Sequence, residues 1–492
     1  MVPSGIGDWV HRRRVKSAGQ PALIWNGGER TYDELAERVD RLADALRGRG
    51  IGVGDRVGYL GDNHPTFVEV LFATTLAGGV FVPLNTRLSI PELEYQLNDS
   101  GASLLVVSGP HAPTGRSAAG GTPVVELGDE YEALVAAGSP EHRGNPRTLD
   151  DPAIIIYTSG TTGKPKGAVL THGNLTWNAY NVLVDYDVTS DTRALMIAPL
   201  FHVASLGMGC LPTVLKGGAV VLAERFVPSE ALELIERHRI TSMSGVPTTY
   251  QLMLEDPTWA TTDLSTLRTL TCGGSAVPER VRLGYEERGL SFSSGYGMTE
   301  TSPGVTSLSP RYSVSKGTSS GLPHFFTEVR IAAPTEDGPE GAGEIEVRGP
   351  NVFAGYWNNE TATAETFTAD GWLRTGDLGI QDDEGFLTIV DRAKDMIISG
   401  GENIYSAEVE QAIMTIPQVT GVAVIGVEHE KWGEVPHAVV TLQPGTDLDL
   451  EWFVGYLSQS LARYKVPRTV EVIDEFPRTA SGKIQKHVLR QR

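Results

Sequence analysis

Residues Tyr157 to Gly167 read Tyr-Thr-Ser-Gly-Thr-Thr-Gly-Lys-Pro-Lys-Gly and hold four aliphatic hydroxyls (Thr158, Ser159, Thr161, Thr162), three glycines (Gly160, Gly163, Gly167) and two lysines (Lys164, Lys166). Glycines let backbone N–H groups approach an anion closely, while hydroxyls and ammonium groups add donors, so the stretch suits a polyphosphate. It is not a Walker loop: one starting at Gly160 would need glycine where Pro165 stands, and Lys164 is followed by proline rather than Ser or Thr. A Gly/Ser/Thr string taken alone fits a flexible surface loop equally well. Ahead of it, Ala153 to Ile156 is a short β-branched apolar run, the pattern of a buried strand that would deliver the loop.

The elements that must hold this loop can be followed along the chain. With 492 residues, two or more domains and a large core are expected. Thr31 to Glu34 has the form of a capping box, and Leu35, Val39, Leu42, Ala43 and Leu46 follow at helical spacing. Arg56–Leu60, Val80–Leu84 and Ser103–Val107 read as strands, and Phe67–Ala77 and Pro91–Asn98 as helices. That alternation predicts an α/β fold built on a largely parallel, helix-covered sheet. Gly109 to Gly121, rich in small residues and proline, reads as a surface connection, and Ala407–Met414 and Val419–Val427 as a later helix and strand.

Composition narrows the partners. Lys plus Arg is 41 against 61 Asp plus Glu, a net charge of −20, which argues against nucleic acid or an anionic membrane as a general partner. Any polyanion must be met by local donors. Cys210 and Cys272 are too few for a disulfide framework and lack metal-ligand spacing, which points to a reducing cytoplasm. A basic cluster at His11 to Lys16 reads as a solvated helix face, since no apolar run long enough for a signal peptide or a membrane span follows it. His429-Glu430 begins like a zinc-protease helix, but Gly433 stands where the second histidine should be.

Further motifs occur in order: Pro199-Leu200-Phe201-His202-Val203, Cys272-Gly273-Gly274-Ser275-Ala276, Gly295-Tyr296-Gly297-Met298-Thr299-Glu300-Thr301, Gly371 to Asp377, Asp391-Arg392, Ile397 to Tyr405 with Gly400-Gly401, and Pro477 to Ile484 with Lys483. Each has a plain alternative: a core histidine, tight turns at the small residues, turn chemistry at Asp377, and solvated charge at Lys483. Together with the loop, they resemble the ordered motifs of the adenylate-forming superfamily, which includes acyl-CoA synthetases, peptide-synthetase adenylation domains and luciferases.

The resemblance implies a mixed α/β enzyme with a large N-terminal domain (1–391), a hinge (392–396) at Lys394 and a small mobile C-terminal domain (397–492), the last about one fifth of the chain. Thr158, Ser159, Gly160, Thr161, Thr162 and Lys166 would hold the ATP phosphates. Gly295, Tyr296 and Gly297 would border the adenine together with Ser275, Thr299 would reach the α-phosphate and Glu300 would hold Mg²⁺. Asp377 and Arg392 would bind the ribose. His202, Val203, Gly273, Gly274 and Met298 would line the acyl pocket, with His202 beside the reacting carboxylate, and Gly400 and Gly401 would lie against the pantetheine arm of coenzyme A. Lys483 would contact both the carboxylate and the α-phosphate, easing their repulsion.

Two departures stand out, Ser294 where relatives often carry Gln, Asn or Glu, and Ile398 and Gly400 where some carry lysines. Amino-acid-activating relatives commonly have Phe-Asp where this chain has Phe201-His202, so a fatty or other apolar acid is expected. The implied reaction joins that acid to MgATP as acyl-AMP and then to coenzyme A. A carrier-protein phosphopantetheine as acceptor, or an inactive acyl-adenylate-binding interaction protein, are the alternatives.

Overall fold

The structure is a computed structural model that describes all residues except 1–4, 145–146, 159–163, 274–276, 278, 333–341, 393–395, 478–483, 485 and 491–492. Among the described residues, the strands form four sheets, three in the large N-terminal part and one in the small C-terminal part.

The helix Pro65–Ala77 shows why the large part folds as layers. It is mostly apolar and buried along its whole length, with its one carboxylate, Glu69, paired to Arg30 and Arg38, as suits a helix between two sheets. Its ends are defined by His64, whose side chain accepts from Thr66 N, and by Gly78 at φ 94°. Beside it, Tyr32–Gly48 starts with the expected capping box: Thr31 Oγ1 accepts from Glu34 N at 3.3 Å, and Glu34 Oε2 accepts from Thr31 N at 2.8 Å. One core cluster joins both helices and His172–Asp185 to the inner faces of a seven-stranded and a nine-stranded sheet.

In the seven-stranded sheet, Arg56–Leu60 runs parallel to Val80–Leu84 and Ala102–Val107, as the alternating pattern predicts. The strand that leads into the phosphate-binding loop departs from that pattern. Pro152–Thr158 pairs parallel with Val80–Leu84 on one side but antiparallel with Lys166–Thr171 on the other, with Thr158 opposite Lys166. So short a connection permits only a reversal of direction. The two strands that flank the loop therefore form a hairpin.

The nine-stranded sheet has a parallel centre, including Ser242–Gly245, Thr269–Cys272 and Phe292–Gly297, and antiparallel edges. A four-stranded antiparallel sheet carries Leu373–Gln381 next to Leu387–Arg392. The small part has its own core over a five-stranded sheet that begins with Met396–Ser399 and Glu402–Tyr405.

Two sequence expectations are corrected. Gly109 to Gly121 is not an open connection: Ala112–Ala118 is a helix that buries Ala112, Gly115 and Ala118. Its small residues permit close packing, since a Cβ at Gly115 would fall 2.5 Å from Val107 Cγ1. The basic cluster on Trp9–Ser17 is only partly a solvated face, because Arg14 pairs with Asp33 at 2.6 Å and Arg13 donates to Leu215 O. Among the described residues, no helix is long and apolar enough to cross a membrane.

Candidate active site

The phosphate loop begins and ends where the hairpin fixes it. Thr158 Oγ1 lies 3.4 Å from Lys166 O, and Ser159, Gly160, Thr161 and Thr162 fall outside the described residues. Lys166 projects its ammonium to 5.0 Å from the centre of the Tyr356 ring. Tyr356 in turn donates its hydroxyl to Glu300 Oε1 at 2.8 Å. Burial pushes the Glu300 carboxyl above the ordinary range, opposed by the Tyr356 hydrogen bond and the charge of Lys166. The hairpin cation, the phenol and the buried carboxylate thus form one group.

Glu300 is held by its backbone. It sits in a single 3₁₀ turn, Thr299–Thr301, whose hydroxyl Thr301 Oγ1 accepts from Met298 N at 3.1 Å and donates to Pro303 O at 2.7 Å. Asn351 Nδ2 donates to Thr301 O and Gly304 O, and Phe353 N donates to Glu300 O at 2.8 Å. The turn, with Met298 and Thr299 on it, is thus pinned to the segment 351–353.

Tyr296 stands three residues before the turn and donates its hydroxyl to Asp377 Oδ2 at 2.6 Å. Asp377 is the register partner of Arg392 across an antiparallel pair, so Tyr296, Asp377 and the Arg392 backbone share one place. The flanking glycines have a structural cause of their own. A Cβ at Gly295 would lie 2.6 Å from Thr306 O, and one at Gly297 would lie 1.7 Å from Pro303 O.

The parallel strands Ser242–Gly245 and Thr269–Cys272 end side by side, with Gly273 N donating to Gly245 O at 3.1 Å. A Cβ at Gly273 would meet nothing within 4 Å, so open space lies beside it. Gly274 and Ser275 fall outside the described residues. Val203 is buried, while His202 is half-exposed and turns Nε2 to 3.3 Å from both oxygens of Glu402.

Glu402 belongs to the small part, and it is the contact that the sequence reading missed. It is buried, pairs also with the Arg87 guanidinium, and lies 3.4 Å from Asn85 Nδ2. Burial alone would raise its pKa, but the charge and hydrogen bond of His202 and the charge of Arg87 hold the carboxyl at about 2. The preceding Gly400 and Gly401 take φ 57° and 86°, backbone that favours glycine. A Cβ on Gly401 would lie 3.7 Å from Val246 Cγ2, in the residue after Gly245. The Gly400–Glu402 turn thus packs against the residue that follows the Ser242–Gly245 strand, whose end is bonded to Gly273. Glu402 was next to the quoted glycine pair, but its partners are on the other domain, and no spacing rule points to them. Tyr356 was missed because its partner Glu300 lies 56 residues away, at no motif spacing. Lys394 and Lys483 fall outside the described residues.

Farther along the same interface, Ser89 Oγ donates to Ser460 O at 2.9 Å. Lys465, 3% exposed, places Nζ 2.8 Å from Glu92 Oε1 of the large part and 2.8 Å from Glu408 Oε1 of the small one. Burial works against its charge, yet these carboxylates, with Glu408 foremost, raise its pKa and keep it an ammonium.

With this geometry, comparison with known proteins is decisive. The sequence matches the AMP-binding enzyme family over residues 10–357 and the AMP-binding enzyme C-terminal domain over residues 408–483. The chain belongs to this family. It is similar to a feruloyl-CoA synthase of Amycolatopsis sp, at 50% identity over 494 residues covering 100% of both chains. Among solved structures it is similar to a double mutant of the o-succinylbenzoate CoA synthetase of Bacillus subtilis bound with its product analogue OSB-NCoA (TM-score 0.89, 35% identity, 99% of this chain and 98% of that one). Against the same enzyme in complex with the acyl-adenylate intermediate OSB-AMP, the TM-score is 0.73 at 35% identity, covering 98% of each chain.

Proposed function

We propose that this family member converts a free aryl-substituted carboxylic acid, of the hydroxycinnamate type, into its coenzyme A thioester. The chain is an AMP-forming acid–thiol ligase, and the reaction has two steps. A carboxylate oxygen attacks the α-phosphorus of ATP, the bond to the β-phosphate oxygen breaks, and pyrophosphate leaves. The thiol sulfur of coenzyme A then attacks the acyl carbon, loses its proton, and expels AMP. The choice of an aryl acid is supported by end-to-end similarity to a feruloyl-CoA synthase and by likeness to an o-succinylbenzoate CoA synthetase.

The observation that carries the two-step reading is the meeting of the Gly400–Glu402 turn with His202 beside the open space at Gly273. Lys166 faces the ATP phosphates, with Thr158 to Thr162 as further donors. Thr299 reaches the α-phosphate, and the Tyr296 ring packs on the adenine bordered by Gly295, Gly297 and Ser275. Asp377 and Arg392 hold the ribose. A buried carboxylate steadied by Tyr356 is a hard oxygen donor suited to Mg²⁺, so Glu300 would hold that ion, which neutralises phosphate charge when bound. His202, Val203, Gly273, Gly274 and Met298 surround the acid. Gly400 and Gly401 lie along the pantetheine arm.

Lys483 supplies its ammonium only to the first step, on a domain of residues 397–492 that turns about Lys394 in the hinge 392–396. The arrangement described here belongs to the second step. Support comes from the higher TM-score to the product-analogue complex than to the acyl-adenylate complex of one enzyme at equal identity. Because both cysteines are buried and unlinked, the compartment we assign is the cytoplasm.

The test is a panel of acids (ferulate, indoleacetate, o-succinylbenzoate, a long-chain fatty acid and an α-amino acid) assayed by pyrophosphate release, with and without coenzyme A. Ferulate is expected to lead in kcat/KM and to give the thioester. ADP and inorganic phosphate as the nucleotide products would overturn the reaction, and a leading fatty acid would overturn the substrate class alone.

A further inference from the structure

Away from the acyl and nucleotide residues, three separate elements bring two imidazoles against one buried carboxylate. His11 stands on the helix Trp9–Ser17, Asp40 in the middle of Tyr32–Gly48, and His142 in the segment after Asp129–Ala137. The two rings stack, with centroids 3.5 Å apart and planes 14° from parallel. Each turns Nδ1 to a different oxygen of Asp40: His142 Nδ1 lies 2.7 Å from Oδ1, and His11 Nδ1 lies 3.6 Å from Oδ2. Asp40 is 2% exposed. Its Oδ2 and the Nδ1 of His11 are both buried, and neither makes a hydrogen bond to any described residue.

A structural His–Asp pair explains only half of this. The bond from His142 to Oδ1 satisfies one oxygen, yet a second imidazole is stacked at the same carboxylate with its nitrogen and the second oxygen left facing each other. Buried polar atoms without partners cost free energy, and native proteins contain few of them. Two stacked imidazoles that were both protonated would also repel each other.

We propose that His11, Asp40 and His142 form a binding site for zinc or a similar first-row transition-metal dication, ligated by the two Nδ1 atoms and the Asp40 carboxylate. One donor atom from each residue already lies within 4.8 Å of the others. Bonds of about 2.0–2.2 Å require modest tightening, and the stacked rings tilt apart to aim their lone pairs at the ion. A neutral His142 that carries its proton on Nδ1 shifts to the other tautomer, with no net gain or loss of protons. Its Nε2–H then points to Asp8 Oδ1, now 3.5 Å away, and Asp8 becomes the outer carboxylate that orients the ligand. Both rings are partly exposed, which gives the ion an entry path. Nitrogen-rich ligation disfavours Mg²⁺, so this site and Glu300 take different ions. The bound ion would tie the first helix and the segment around His142 to the large domain.

The test uses full-length, tag-free protein treated with chelator and titrated calorimetrically with Zn²⁺, with Co²⁺ absorption as a report on ligand type. Binding of one Zn²⁺ per chain, a Co²⁺ spectrum of four-coordinate character and a raised Tm with Zn²⁺ are expected. His11→Gln and His142→Gln should each weaken Zn²⁺ binding by about tenfold or more and abolish the Tm shift. Pyrophosphate release in Mg²⁺ should not change. Because His11 is partly exposed, His11→Gln remains informative if the other variant fails to fold. Absence of stoichiometric Zn²⁺ binding, or equal binding by wild type and His11→Gln, would overturn the proposal.

Discussion

Glu300 is a carboxylate whose charge is disfavoured by burial and favoured by one phenol and one ammonium. A divalent cation adds attraction in the same direction, but it needs the ionised form. Because its pKa is raised, protonation begins at a higher pH than for an ordinary glutamate, so the apparent Mg²⁺ affinity should weaken early as the pH falls. Initial rates of pyrophosphate release against Mg²⁺ concentration, at several pH values, will show this. Glu300→Gln should lower the adenylation rate by about 10²-fold to 10³-fold, as expected for a lost charge-stabilising group, with little change in thioester formation from supplied acyl-AMP. Equal losses in both steps would assign Glu300 a structural role only. At this scale the sequence marked Lys166, Tyr296, Glu300 and Asp377 as candidates by residue type and motif, and the fold brings Lys166 towards Glu300 and Tyr296 against Asp377. Tyr356 and Arg87 were illegible because their function depends on partners 56 and 315 residues away. The same distance hid Asp40 and His142 from any spacing rule.

At the scale of elements, the decisive piece is the Gly400–Glu402 turn, which has two causes for its glycines. Both have positive φ, and a Cβ at Gly400 would come 2.7 Å from Trp432 Cε3. Gly400→Ala therefore combines left-handed strain of about 1–2 kcal/mol with a clash, and should slow thioester formation about tenfold or more. Adenylation should be spared if, as proposed, the small domain turns away from His202 and Val246 for that step. Half-reactions measured separately, with circular dichroism as a folding control, will decide it. Glu402 adds a pH dependence. Its depressed pKa means that the contact is fully formed above the ordinary carboxylate range and is lost as the pH falls through about 2. Elements were read well where periodicity was strong, as in Arg56–Leu60, and poorly where small residues imitate a loop, as in Ala112–Ala118. The antiparallel return at Lys166 was equally invisible, because strand direction is set by how short the connection is and not by composition.

On the scale of the whole molecule, the two domains are held together by charges that neither could bury alone. Lys465 is the centre of that contact, an ammonium shared by Glu92 from one side and Glu408 from the other. Of the two Lys465 bonds, the one to Glu92 crosses the interface, and a swing of the small domain would have to break it together with the Arg87–Glu402 pair. A hydrogen bond to a charged group contributes about 1.5–3 kcal/mol, so its loss should shift the balance of domain arrangements by about 10-fold to 100-fold. Glu92→Gln keeps the size of the side chain and an oxygen for Ser89 N while removing the charge that Lys465 meets. The variant should form thioester from supplied acyl-AMP more slowly, by up to that factor, while pyrophosphate release is unchanged or faster because the arrangement that presents Lys483 is more populated. Lys483→Ala should do the opposite, losing about 10²-fold to 10³-fold in adenylation and little in thioester formation. Small-angle scattering would report the shift directly, as a change in the distance distribution of Glu92→Gln without ligands. If Glu92→Gln and Lys483→Ala depress the same half-reaction, the two ends of the small domain serve one step, and alternation between arrangements is not how this ligase works.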